Sequence, residues 1–183
     1  MPEHDQRNRE VMLAEYSTLR NEILQRMGFQ WSIFALQLTA AGVIFSFSLS
    51  SSSHTGFLLI IPIATYVLSG RYLAVYLGIR NISAYIREVL EPKANGQLNW
   101  EGWCAMQQPR ARPLTLLNPL FLAFPGIAVA ALVWVAPYVW GHPLSAGTRI
   151  LIASTWFIGI AVTGLSFHLI GRIATYYWRR TPV

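Results

Sequence analysis

GRYLAVYLGIRNISAYIREVLEP, residues 70–92, follows an uncharged apolar run, yet it carries three arginines and closes on Glu-Pro. Whether the helix ends at Arg71 or runs on decides the architecture. The apolar run from Gly56 to Gly70 has 15 residues. At 1.5 Å per residue that is ~22 Å of helix, short of a ~30 Å hydrocarbon core. Extension to Leu77 gives 22 residues, or ~33 Å, so a span is expected over 56–77 with Arg71 inside it. Beyond it, a 100° wheel gathers Val75, Ile79, Ile82, Ile86, Val89 and Leu90 into one arc. Arg80 and Arg87 stand outside that arc. This is an amphipathic helix, expected to stop near Glu91-Pro92 because proline disfavours helical geometry in the residue before it. One helix is therefore expected from about Gly56 to Leu90, projecting from the bilayer.

Working outward, the remaining runs have the same character. The 183 residues are 54% hydrophobic and 12% charged, where a soluble domain carries about 25% charge. Trp31 to Ser50 is a charge-free stretch of 20 residues, and SSSHT after it leaves room only for a tight helical hairpin. Leu114 to Trp140 and Ile150 to Gly171 supply two further spans, joined by GHPLSAGT. Prolines 119, 125 and 137 are tolerable there, since neighbours or local backbone adjustment satisfy the freed carbonyls. The fold class expected is all-α: an integral membrane four-helix protein with helical extensions. Its spans are 31–50, 56–77, 114–140 and 150–171 within a 29–171 membrane domain. Residues 1–28 form an amphipathic helix, 78–113 a helix and loop, and 172–183 a basic tail.

Thirteen of the fourteen Lys and Arg fall on one side of these spans, leaving Arg149 on the other. By the positive-inside rule both termini and the 78–113 segment are expected in the cytoplasm. All eight acidic residues lie on that side too, so thirteen cations against eight anions leave it at +5. The expected location is a bacterial inner membrane, crossed several times with N and C termini inside. The first run begins near Trp31 after a mixed-charge segment, unlike the basic start and short apolar core of a secretory signal.

The N-terminal segment mirrors the extension after the second span. In VMLAEYSTLRNEILQRM, Met12, Tyr16, Leu19, Ile23 and Met27 recur at spacings of three and four, and Glu22 and Arg26 form an i, i+4 pair. Only Gly28 offers a hinge before the first span. The two stripes need cover: from each other, from the lipid interface, or from a multi-subunit cytoplasmic collar.

Two features carry candidate function. In the first span Ser32, Ala35, Thr39, Gly42, Ser46 and Ser50 fall within one 80° arc. Such a stripe serves close helix packing or a hydroxyl-lined pore, with Ser32, Thr39, Gly42, Ser46 and Ser50 as lining residues. The fourth span repeats the pattern with Thr155, Gly159, Thr163 and Ser166. The second feature is cationic: Arg20, Arg26, Arg71, Arg80, Arg87, Lys93, Arg110 and Arg112 are candidates for an anionic ligand or for gating. Arg71 lies inside the hydrocarbon boundary, where it snorkels or faces a polar cavity. Trp100 and Trp103 amid Lys93, Arg110 and Arg112 suit anionic lipid or stacked bases. His4, His54, His142 and His168 have no metal-ligand spacing and Cys104 is a single cysteine, so neither a metal, a cofactor nor an enzymatic activity is expected.

EYSTLRNEILQR (15–26) and YIREVLEPKANGQLNWEGW (85–103) resemble segments of small multi-pass bacterial membrane proteins. Over about residues 10 to 104 the design resembles membrane effectors of anti-phage systems of the CBASS and Hailong type. That resemblance implies a homo-oligomeric channel or pore-forming effector, controlled from the cytoplasm by a nucleotide or oligonucleotide. The alternative is a non-conducting scaffold or stress protein whose extensions bind a cytoplasmic protein partner.

Overall fold

The computed structural model describes residues 2–94, 98–107, 119–141 and 145–178. Among them every regular element is helical and there is no strand. Helix α1 runs unbroken over Pro2–Leu49, 48 residues or ~72 Å, more than twice a hydrocarbon core. Its one proline stands at the first turn, where the missing N–H costs nothing, and Gly28 does not interrupt it. It ends at the serine run, where the Ser50 amide and hydroxyl both donate to the Phe47 carbonyl. Short hydroxylated side chains offer the backbone such alternatives to helix.

The chain turns through a 3₁₀ segment, Ser52–Leu59, into α2, Ile60–Tyr85. A π-helical turn, Ile86–Leu90, then leads into α3, Glu91–Lys93. The helical path passes Arg71 without a break. It continues three residues past Leu90, the end expected from Pro92. The π turn is the reason: the Glu91 N–H reaches back to the Ile86 carbonyl, so the widened turn moves the backbone ahead of the proline ring. Pro125 meets the same device. After α4 (Trp100–Gln107) and α5 (Pro119–Phe121), a π turn at Leu122–Gly126 carries Pro125 into α6, Ile127–Gly141. A Cβ on Gly126 would lie 2.9 Å from the Phe121 carbonyl oxygen, so this turn requires glycine.

Helix α7 covers Ala146–Trp178. It starts four residues before Ile150, because Ser145 takes up its free N-terminus: the Thr148 N–H donates to the Ser145 hydroxyl at 3.3 Å. Among the described residues four helical stretches are long and apolar enough to cross a membrane, Gln6–Leu49, His54–Lys93, Pro119–Gly141 and Ala146–Arg172, each holding an 18-residue window with a mean hydropathy of 1.7 to 2.1. Residues 114–118 of the expected third span, and Arg179 and Arg180 of the expected tail, lie outside the described residues.

The chain divides into two compact units, Met1–Trp31 with Ala74–Arg110, and Ser32–Leu73 with Ala111–Val183. In the first unit the two amphipathic stripes cover each other. Ile23, Ile86 and Leu90 are buried together, and Met12, Tyr16, Leu19, Ile79 and Ile82 pack around them. Each such aliphatic side chain contributes ~1.5–3 kcal/mol on full burial. Met27, read with the α1 stripe, stays outside the cluster and is 45% exposed.

In the second unit Leu58, Leu59 and Ile61 pack on Ala131, Leu132, Val135 and Val139 of α6, flanked by Ile44 and Phe45 of α1 and by Ile152, Ala153 and Trp156 of α7. Polar pins cross each seam. Gln37 Nε2 donates to the Thr65 hydroxyl at 2.8 Å, Ser69 to Ser166 at 3.4 Å, and Trp156 Nε1 to the Leu132 carbonyl at 3.1 Å. Such bonds hold membrane helices together where apolar burial supplies no drive.

Candidate functional site

The two hydroxyl stripes that look alike in sequence have opposite fates within the second unit. On α7, Thr163 is 4% exposed and Ser166 fully buried, and their hydroxyls donate to the carbonyls of Gly159 and Val162. A Cβ on Gly159 would stand 2.9 Å from Leu132 and 3.4 Å from Pro62. This stripe lets three helices approach and is used up in packing; Thr155 is half-buried at its edge.

The first-span stripe points the other way. Gln37, Ala41 and Ser48 of α1 are buried. Ser32, Ala35, Thr39, Gly42, Ser46 and Ser50 are exposed, centred roughly 180° from that buried face at 100° per residue. A Cβ on Gly42 would meet nothing within 4 Å. The outward faces of the other helices carry many large apolar side chains: Ile60, Ile63 and Val67 on α2, Val133 and Trp134 on α6, and Leu151, Phe157, Ile158 and Leu165 on α7. Those suit lipid. A lipid tail offers a hydroxyl no partner, whereas water or another chain does. The α1 stripe thus turns four hydroxylated side chains, with Ala35 and Gly42, out of the bundle. Ser50 closes it, its oxygen 3.4 Å from His54 Nδ1, whose ring stacks on Phe47 at 4.4 Å.

The cationic candidates are dispersed. In the first unit Arg20 meets Glu101 at 2.6 Å, Arg26 meets Glu22 at 2.5 Å and Arg87 meets Glu88 at 2.7 Å. The Arg80 guanidinium lies over the Tyr76 ring, 6.0 Å from its centroid. Lys93 is exposed on α3, and Arg71, in the second unit, is exposed on α2. Arg110 and Arg112 lie outside the described residues. Three of these cations are therefore committed to carboxylates of the same unit.

Sequence reasoning missed the residue that organises this unit. Glu91, 9% exposed, accepts the Glu101 N–H at 2.7 Å through Oε1 and the Gly102 N–H at 3.1 Å through Oε2. It thereby caps α4 at its positive end. A Cβ on Gly102 would come 3.0 Å from the same carboxylate. With Arg20 holding Glu101, α4 is tied to both helical extensions. Its other face turns Trp100, Trp103 and Met106 outward, 51, 50 and 84% exposed, with the two indoles stacked at 5.4 Å. Among the described residues no three of His, Cys, Asp and Glu come together to hold a metal.

No protein-family model, curated protein or solved structure matches the chain.

Proposed function

We propose that the protein is a homo-oligomeric membrane channel, or pore-forming effector, whose first span lines the pore and whose helical extensions receive a cytoplasmic signal. One observation carries this reading: of two similar hydroxyl stripes, that of α7 is consumed by the bundle, while that of α1 is turned out of it beside lipid-suited faces. Opening such a pore dissipates the membrane potential. The signal is an anionic nucleotide or oligonucleotide, as in anti-phage defence, drawn by the excess of cations over carboxylates on the expected cytoplasmic side. Ion flux through the purified protein in liposomes tests the pore: replacing Thr39 and Ser46 with leucine should cut flux, and unchanged conductance in the double variant rejects the first-span assignment.

A second reading, a non-conducting scaffold with a protein partner, is favoured by the exposed Trp100, Trp103 and Met106 face of α4. Aromatics and methionine are the side chains enriched at protein interfaces. Under that reading Trp103→Ala removes partner binding and flux is absent throughout.

A further inference from the structure

Within the second unit the bundle leaves a groove on its outward side, at the end where the chain turns into α2 and where α7 begins. It encloses about 340 Å³, at the lower end of the range for ligand pockets. Phe57 of the 3₁₀ segment with Ile60 and Ile63 of α2 line it along the second span, Leu151 and Ile152 of α7 along the fourth, and Tyr138 of α6 completes the lining. Phe57, Ile60, Ile63 and Leu151 are exposed, so the groove opens away from the bundle. Gly56 lies in it as well. A Cβ there would meet nothing within 4 Å, so the space is kept by the missing side chain. The Thr155 hydroxyl, also in the lining, donates to the Leu151 carbonyl at 2.9 Å and asks no hydrogen bond of an occupant.

We infer that this groove holds one acyl chain of an anionic phospholipid whose headgroup meets Arg149. Every lining residue belongs to a stretch long and apolar enough to cross a membrane, so the open side faces hydrocarbon. Lipid tails are as apolar as the lining, and burial alone gives the site no preference. Packing does, because an unfilled gap forfeits the dispersion contacts of the side chains around it. A helix ~10–12 Å across stays outside a groove of this size, whereas a jointed tail can follow it. Charge supplies the second argument. Arg149 stands one turn before Ile152 on α7, ~4.5 Å further along the axis, at the end of the groove that Leu151 and Ile152 line. It is exposed and is the one Lys or Arg expected on that side of the membrane. A basic side chain at the surface attracts anionic headgroups. The site belongs to a single chain and does not depend on whether that chain conducts.

The test uses the full chain in phosphatidylcholine vesicles doped with phosphatidylglycerol that carries a diazirine on one acyl chain. Illumination is followed by mapping of the adducts by mass spectrometry. Adducts should be several-fold denser on residues 57–63 and 151–155 than at Val133 and Phe157, which are exposed but outside the lining. Excess unlabelled phosphatidylglycerol should compete the groove adducts away before the others. Gly56→Leu fills the gap without meeting the bundle and should remove the excess, while unchanged adducts at Val133 and Phe157 show that the variant is inserted. Arg149→Gln should cut the preference for phosphatidylglycerol over the same probe built on phosphatidylcholine roughly fivefold, the equivalent of one basic side chain at the surface. Groove adducts no denser than elsewhere, or an excess that survives Gly56→Leu, overturn the tail assignment. Fewer adducts in the groove than on the open faces mean that a second copy is seated there, and overturn it too. A preference unchanged in Arg149→Gln overturns the headgroup contact.

Discussion

Glu91→Gln should loosen α4 without unfolding the helices beside it. The carboxylate is nearly buried and takes two backbone N–H groups, at 2.7 and 3.1 Å. A hydrogen bond to a charged group contributes ~1.5–3 kcal/mol, and loss of an N-cap costs ~0.5–2 kcal/mol. Glutamine keeps one acceptor oxygen but forfeits the charge that matches the helix end. The expected loss is ~1–2 kcal/mol, or a roughly 5- to 30-fold rise in the open population of α4. Amide hydrogen exchange reads that population directly at Glu101 and Gly102, the two donors. Maleimide labelling of Cys104, half-buried on α4 and the one thiol in the chain, gives an independent rate. Arg20→Gln should act in the same direction but less, by ~0.2–1 kcal/mol, because its pair with Glu101 is part-exposed, at 35 and 13%. If exchange at Glu101 and Gly102 is unchanged in Glu91→Gln, the carboxylate does not hold α4 and the cap assignment fails.

Gln37→Leu should lower thermal stability in detergent by ~0.6–2 kcal/mol, because it strands the fully buried Thr65 hydroxyl. Adding Thr65→Val should recover most of the loss, since removing both partners spares the desolvation penalty; a double variant no better than the single refutes the pairing. Glu15→Gln should lower the ionisation midpoint of Tyr85, whose pKa is raised first by the 2.8 Å hydrogen bond to Glu15 and then by desolvation and that carboxylate's charge. The bond is present below the folded-state midpoint and is lost as pH rises through it. Phenolate absorbance measured against Tyr85→Phe checks this, and an unmoved midpoint rejects the link.

The four long helices are legible in the sequence because uncharged runs of this length admit little else, and the extensions because apolar residues recur at three and four. Both signals are local. What the extensions do with their charges is not local. Glu22 and Arg26 are readable as an i, i+4 pair, but Arg20 finds Glu101 from 81 positions away. Glu91 reads as the end of a helix, since nothing beside it needs an acceptor. Its donors are ten and eleven residues on, reached only once the chain has folded back. A cation without a carboxylate one turn away looks available for a ligand until tertiary structure supplies its partner. That is why Arg20 belonged among the ligand candidates and now stands in an ion pair.

The two hydroxyl stripes mark where periodicity stops being informative. Both offer small residues on one helical face, and packing against a helix or against water draws on the same composition. What separates them lies on other elements. Gly159 faces Leu132 and Pro62, and Ser166 faces Ser69, so the fourth-span stripe is filled from α2 and α6. On α1 the bundle takes the opposite face, through Gln37 and Ala41, leaving Thr39, Gly42 and Ser46 on the outside. A residue lost from the α7 stripe therefore damages the monomer, whereas one lost from the α1 stripe leaves the monomer whole. Variants at Thr39, Gly42 and Ser46 thus report on flux with the monomer fold left intact, and the strongest functional test falls where the fold is least at risk.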